Sequence, residues 1–334
     1  MTWFKKDPLQ IIVFQTYGTD SHFYARGRAL EDESIDLENQ SFFTLLVNSW
    51  KRFETDELKR APLKIRLPNG KVYEVLTDDG GYFLLDERVQ GLTAYTNEEC
   101  WLKFEVSYGD FQHKHPIQSE NRFPGELLVP DLDSDFGIVS DIDDTIIHTG
   151  VASKLKWRVL YNTFLKHAGN RIPLKGAPEF YHLLHRGPTG KKSNPIFYVS
   201  HSPWNLYRYL EYFLKKNNFP KGPIVLRTFP RLFRFKKRDE KPHKQKEIVN
   251  ILKAYPDLKF ILIGDSGEHD PDIYIEIAES HPGRILAIYL RSVIHEKKSQ
   301  RVKSLIKDYV KTPVLLVKDS EQAILHAREN GFVK

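Results

Sequence analysis

The sequence predicts a two-domain chain of mixed class: an α/β domain built on a parallel sheet, preceded by a smaller β-sandwich-like domain carrying one helix. Three observations predict it. At 334 residues the chain is longer than a single hydrophobic core comfortably serves. Its first third holds short strands broken by Gly-centred turns. Beyond a proline-punctuated connector, uniformly apolar strands alternate with helical stretches.

In the N-terminal domain, residues 1–125, LQIIVFQ and FYARGRAL read as strands. KIRL-PNG-KVYEVL reads as a hairpin with Asn69-Gly70 at its turn, and TDDGGYFLL as a second Gly-centred turn into another strand. In CWLKFEV, Leu102, Phe104 and Val106 alternate with Trp101, Lys103 and Glu105, the pattern of a half-buried strand. One helix is predicted between Ser41 and Lys59, because Phe43, Leu46, Val47, Trp50 and Phe53 recur at helical spacing. Residues 112–135, with Pro116, Pro124, Pro130 and the acidic DLDSD, read as the connector, with the boundary near Val129.

In the second domain, residues 126–334, the strands are FGIVS, PIFYVS, PIVLR, LKFILIG, RILAIYL and PVLLV. Helices fall around 151–168, 176–186, 203–217, 242–255, 271–280, 297–309 and 320–330. Strands this apolar are buried on both faces, which requires helices on each side of a parallel sheet. Functional groups of such sheets gather at the carboxyl ends of the strands.

Composition bounds the function classes. With 40% hydrophobic and 13% aromatic residues the chain has material for a core. The single cysteine, Cys100, excludes an internal disulfide framework and a cysteine-rich zinc site, and is expected in the core. The apolar run Leu9–Phe14 is too short for a signal peptide, and no stretch reaches the length of a spanning helix, so a cytoplasmic protein is expected. The net charge of +6 leans towards anionic partners without choosing among them.

Four segments carry chemistry, three at strand ends and one at the start of a helix. FGIVS runs into DIDDT, placing Asp141, Asp143 and Thr145 two residues apart. Three carboxylates within four residues repel, at about 4 kcal/mol for two unit charges ~4 Å apart at an effective dielectric of about 20. A bound cation or a buried proton offsets that cost, and a solvated turn or a helix cap avoids it. PIFYVS delivers Ser200, also an ordinary capping residue before the helix beginning near Pro203. LKFILIGDSGEHD delivers Asp265, with Asp270 five residues on and Gly264 permitting close backbone approach. Finally, the apolar stripe Ile248, Ile251, Leu252 and Tyr255 extends back one turn to Lys244. The helix dipole opposes an ammonium there, so Lys244 either points inward at an anion or snorkels to solvent. Together these groups suit phosphoryl transfer: carboxylates for a metal, a nucleophile, a proton donor, and hydroxyl and ammonium groups for phosphate oxygens.

These four segments, in this order, resemble the motifs of haloacid-dehalogenase (HAD) phosphohydrolases, whose fold is a Rossmann-like parallel sheet. SDIDDTIIHTGV, FYVSHSPWNLY and ILIGDSGEHDPDIY resemble more closely the lipin-related phosphatidate phosphatases, the fungal actin-patch-associated enzymes and their bacterial relatives. ARGRALED, KRFETDEL and TDDGGYF are similar to the β-rich domain preceding the catalytic half in the bacterial members. The resemblance implies that Asp141 is the nucleophile and Asp143 the acid/base. It implies Mg²⁺ held by the Asp141 carboxylate, the Asp143 main-chain carbonyl and the Asp265 carboxylate. Ser200 and Lys244 would take phosphoryl oxygens, Thr145 would buttress the loop, and Asp270 would hold either a metal-bound water or the Lys244 ammonium.

The insertion spanning residues 147–175 is short where many relatives carry a large cap, which suits a bulky or surface-bound substrate; His148 is placed either to reach that substrate or to begin a helix. RTFPRLFRFKKR, residues 227–238, holds six Arg or Lys interleaved with Phe229, Phe233 and Phe235. It reads as a solvated loop, as a peripheral contact with anionic membrane, or as a nucleic-acid contact; no stable nucleic-acid complex is expected. The leading expectation is therefore a phosphatidate phosphatase releasing diacylglycerol and phosphate. The alternatives are a phosphatase for nucleic-acid ends or phosphoproteins, and a catalytically inactive scaffold.

Overall fold

The computed structural model describes residues 8–31, 57–110, 115–142, 176–227, 241–267, 269–292, 296–307 and 309–334. Asp143, Thr145, His148, the insertion 147–175, most of the helix expected over 41–59, and the basic segment beyond Arg227 lie outside the described residues. The chain divides into two compact units, Met1–Asp131 and Leu132–Lys334.

The first unit contains β1 (Leu9–Val13), β2 (Thr16–Tyr17), β3 (His22–Glu31), β4 (Pro62–Arg66), β5 (Val72–Leu76), β6 (Tyr82–Arg88), β7 (Trp101–Tyr108) and β8 (Phe123–Leu128). They form a three-stranded sheet, β1-β3-β6, and a five-stranded sheet, β2-β8-β7-β4-β5. Alternate residues of both sheets share one core, and the Phe23 and Phe104 rings meet edge-on at 5.1 Å across it. The β4–β5 hairpin turns at Gly70, whose φ of 85° is the left-handed conformation that glycine accepts without strain.

Two sequence expectations change here. The segment read as a featureless connector contains β8, paired with both β7 and β2. Pro124 removes one ladder donor and Gly125 removes one apolar side chain, which hides the alternation. The gap at Gly125 is filled by the Phe104 ring, 2.3 Å from where a Cβ would stand. Trp101, expected on the outer face, is buried, because the preceding turn folds back along the strand and Asn97 N donates to Trp101 O at 3.0 Å.

The second unit contains β9 (Gly137–Asp141), α1 (Ala177–Arg186), β10 (Ile196–Pro203), α2 (Tyr207–Lys216), β11 (Ile224–Arg227), α3 (His243–Ala254), β12 (Phe260–Asp265), α4 (Asp270–Ser280), β13 (Ile285–Arg291), α5 (Glu296–Lys307), β14 (Val314–Val317) and α6 (Ser320–Glu329). All six strands pair in parallel, in the order β11-β10-β9-β12-β13-β14. Counted within this unit, that order is 3-2-1-4-5-6, with the strand order reversing between β9 and β12.

Strand alternation shows helices on both faces. Tyr198 stacks on Tyr181 of α1 at 6.4 Å, whereas its neighbour Phe197 turns the other way and meets Tyr255, at the end of α3, at 5.7 Å. Every residue of β9 and β12 is buried, as apolar strands covered on two sides require. Among the described residues, no helix is long and apolar enough to cross a membrane.

Candidate active site

The carboxyl ends of β9 and β12 meet at the switch point of the sheet, where open α/β folds bind their ligands. Asp141 ends β9 with 1% exposure and Asp265 ends β12 with none. On β9, Gly137, Val139 and Asp141 share one face, and Phe260 of the neighbouring strand approaches the Gly137 backbone there, 2.5 Å from a would-be Cβ. Asp141 therefore faces the side covered by α3 and α4.

Lys244 sits in the first turn of α3 and is fully buried. Its Nζ stands 2.9 Å from Asp141 Oδ1 and also donates to Asp270 Oδ1. Of the two expected placements for Lys244 the structure adopts the inward one, and of the two for Asp270 it shows the contact with the ammonium. Asp270 begins α4, and its Oδ2 accepts from the Asp265 backbone N–H at 3.4 Å. Gly264 makes room for it, because a Cβ there would lie 2.5 Å from Asp270 Oδ2. Asp265 Oδ1 in turn accepts from the Gly267 N–H, fixing that carboxylate at the strand end.

One carboxylate oxygen from each of Asp141, Asp265 and Asp270 lies within 4.8 Å of the others. Among the described residues, this cluster brings together three buried carboxylates and one ammonium, and an excess of negative charge in a low-dielectric site is a cost that a divalent cation offsets. Among the described residues the donors of this cluster are hard carboxylate oxygens, the set that suits Mg²⁺ or Ca²⁺.

Ser200 lies on the next strand over, one residue past Val199, the register partner of Asp141; it was expected to end that strand, but β10 runs on to Pro203 and α2 begins only at Tyr207. Against β11, β10 shifts register between Val199 and Pro203, so Ser200, His201 and Ser202 bulge at the sheet edge. Ser200 is fully buried, and its Oγ accepts from the Ser202 N–H at 2.9 Å. The structure thus gathers Asp141, Lys244, Asp265 and Asp270 in direct contact, with Ser200 on the adjoining strand.

Sequence reasoning overlooked two sets of residues. Ser140 Oγ donates to the Asp141 carbonyl at 2.8 Å, so its 2.6 Å contact with Tyr181 is donated by the tyrosine hydroxyl. Burial raises the Tyr181 pKa, which keeps that proton in place. The second set is the three histidines His201, His243 and His269. Burial pushes the His201 pKa down to about 3, and the positive charges of Lys244, His243, Arg227 and His269 push the same way. His201, His243 and His269 each adjoin a residue already singled out (Ser200, Lys244, Asp270), and that adjacency was the available signal.

Residues 136–292 match the family described as the catalytic domain of phosphatidate phosphatase APP1. Phosphatidate phosphatase APP1 of Saccharomyces cerevisiae is 37% identical over 180 residues, which is 54% of this chain and 29% of the yeast protein. An uncharacterised protein of Schizosaccharomyces pombe is 30% identical over 225 residues, 67% of this chain and 35% of its own length. That alignment is longer than residues 132–334, so the likeness extends into the N-terminal unit. The chain spans about a third of the length of these relatives. The Bacteroides thetaiotamicron EndoBT-3987 structure aligns over 96% of this chain and 93% of its own at 8% identity, with a TM-score of 0.24 that carries no argument about fold. The similarity to the phosphatidate phosphatase APP1 catalytic domain covers β9, β10 and β12, which carry Asp141, Ser200 and Asp265, and α3 and α4, which bring Lys244 and Asp270 to them.

Proposed function

We propose that the chain is a Mg²⁺-dependent phosphate-monoester hydrolase of the HAD type, acting through an aspartyl-phosphate, with phosphatidate as substrate and diacylglycerol and phosphate as products. The observation that carries this reading is the Lys244 ammonium held between Asp141 and Asp270, with Asp265 in the same cluster of carboxylates, at the switch point of a parallel sheet. The substrate comes from the named yeast relative.

The Asp141 carboxylate attacks phosphorus, forming the acyl-phosphate bond as the ester P–O bond breaks. Asp143 gives its proton to the departing alkoxide, then takes one from the water that attacks the acyl-phosphate and releases phosphate. An alkoxide is a poor leaving group, so a proton donor two residues from the nucleophile favours monoesters over nucleotide hydrolysis. Lys244, positioned by Asp270, places positive charge beside the nucleophile for the phosphoryl oxygens, and the Ser200 hydroxyl adds a donor. The Asp141 and Asp265 carboxylates and the Asp143 main-chain carbonyl would hold Mg²⁺, which would offset the charge of the carboxylates and of the phosphoryl group. The segment 227–238, with six basic residues and three phenylalanines, supplies contact with an anionic membrane.

The test is a substrate panel assayed with Mg²⁺ and with EDTA: phosphatidate in mixed micelles, an aryl phosphate, a phosphopeptide and a 5′-phosphorylated oligonucleotide. Phosphatidate should be the best substrate, EDTA should abolish turnover, and Asp141→Asn should abolish it on every substrate while leaving the fold intact. Asp143→Asn should lose about 10²–10⁴-fold on phosphatidate and much less on the aryl ester, whose leaving group needs little protonation. Equal losses on both would remove the acid/base assignment, and a preference for the peptide or oligonucleotide would redirect the substrate.

A further inference from the structure

A cavity of about 190 Å³ opens at the same sheet edge as Asp141 and Asp265, on the face covered by α1 and α6. Phe180, Tyr181, Ile263, Tyr289, Val317 and Ala323 wall it. Both tyrosines spend their hydroxyls elsewhere, Tyr181 on Ser140 at 2.6 Å and Tyr289 on His326 Nδ1 at 2.9 Å, so they offer ring carbon to the space. Around the apolar walls stand Arg291 and Lys318, with Asp319 as the opposing charge, although Asp319 is engaged in capping α6 through the Gln322 N–H at 3.0 Å.

Two features tie the cavity to the phosphoryl site. Ile263 and Gly264 directly precede Asp265 along β12, so the wall and the carboxylate share one strand end. Tyr181 is linked through Ser140 to the Asp141 main-chain carbonyl, so a group that presses on the cavity wall also presses on the nucleophile's backbone.

We propose that this cavity is a tail site: it takes a segment of a hydrocarbon chain of the phosphorylated substrate, with Arg291 and Lys318 favouring an anionic head at its mouth. An apolar cavity of about 150 Å³ stays dry and accepts a benzene-sized ligand, so this one holds a chain segment of roughly six carbons. The site deepens the phosphatase reading and rests on it: it makes the enzyme select monoesters that carry an alkyl chain near the phosphate.

The test uses the full chain with Mg²⁺ and a series of alkyl phosphonates from two to ten carbons, each measured as an inhibitor of aryl phosphate hydrolysis. Inhibition should strengthen by up to about fourfold per methylene, the value of a fully buried CH₂, and level off near six carbons. Ala323→Phe, which fills the cavity from α6, should flatten the series while leaving ethyl phosphonate inhibition and aryl phosphate turnover unchanged. Should that variant fail to fold, Ala177→Leu fills the same space from α1. A flat series in the wild type, or a rising one that both filling variants leave intact, would falsify the tail site. Absence of any aryl phosphate turnover would instead strike the phosphatase reading itself.

Discussion

At Gly264, an added Cβ would stand 2.5 Å from Asp270 Oδ2 and 2.7 Å from the Tyr274 ring. Gly264→Ala should therefore displace Asp270, weaken its hold on Lys244, and lower kcat by tenfold or more while costing ~1–3 kcal/mol of stability through overpacking. Wild-type kcat in a folded Gly264→Ala protein would remove Asp270 from the positioning of Lys244. That glycine was legible in the sequence because it interrupts an apolar strand directly before a carboxylate; the Tyr181–Ser140 contact was not, because an ordinary core tyrosine and a strand serine carry no spacing signal. His201 gives a pH prediction at the same scale. Its pKa is about 3 in the fold against the ordinary 6.5, so between those values the unfolded chain binds the extra proton and stability falls as pH falls. From pH 6.5 to 5 the loss attributable to this one group reaches up to about 2 kcal/mol at 1.36 kcal/mol per unit. His201→Gln should lose correspondingly less stability than wild type between pH 7 and pH 5, measured by urea unfolding at both values. An identical loss in the two proteins would mean that His201 ionises normally in the fold.

The first turn of α3 decides the electrostatics of the site. Ile248, Ile251 and Leu252 are fully buried, and the same stripe one turn earlier carries Lys244 into the sheet. Helical periodicity thus offered the inward placement of Lys244 as one of two readings, and its burial selects that one. What periodicity left open was its second partner, since Asp270 lies on another helix and only the β12–α4 turn brings it there. β8 was illegible for the opposite reason: Pro124 and Gly125 interrupt a strand whose place is fixed by pairing on both sides. Lys244→Met keeps the bulk and removes the charge, leaving the three carboxylates buried without their ammonium. Breaking a buried pair in this way costs roughly 3–5 kcal/mol. The loss should be largest in EDTA and should shrink in millimolar Mg²⁺, because a divalent cation replaces part of the missing charge. Thermal melts of both proteins with and without the ion measure this, and a destabilisation that ignores Mg²⁺ would separate Lys244 from the metal site.

The two units differ in kind: one is a pair of antiparallel-rich sheets around its own core, the other a parallel sheet with the carboxylate cluster at its switch point. Leu127 and Leu128 are buried in β8, whereas Leu132 is fully exposed, so a catalytic fragment should begin at residue 132 and not at 127. Such a fragment keeps every described site residue together with segment 227–238, and it should hydrolyse an aryl phosphate at the rate of the full chain. It should also bind anionic vesicles. Each Lys or Arg close to such a surface is worth ~1 kcal/mol, and if half of the six face the lipid the attraction is about 3 kcal/mol. Attachment of that strength is reversible and salt-sensitive, weakening as ionic strength rises beyond physiological and the screening length drops below ~8 Å. Co-sedimentation with phosphatidylserine vesicles across a salt series measures it, comparing the fragment with a variant in which Arg231, Arg234, Lys236 and Lys237 are replaced by Ser. The variant should stay in the supernatant and keep its aryl phosphate activity. Binding that persists in the variant would place the membrane contact elsewhere on the 132–334 unit. Binding by the full chain and not by the fragment would assign it to the N-terminal sheets, where the long alignment with the Schizosaccharomyces pombe protein also reaches.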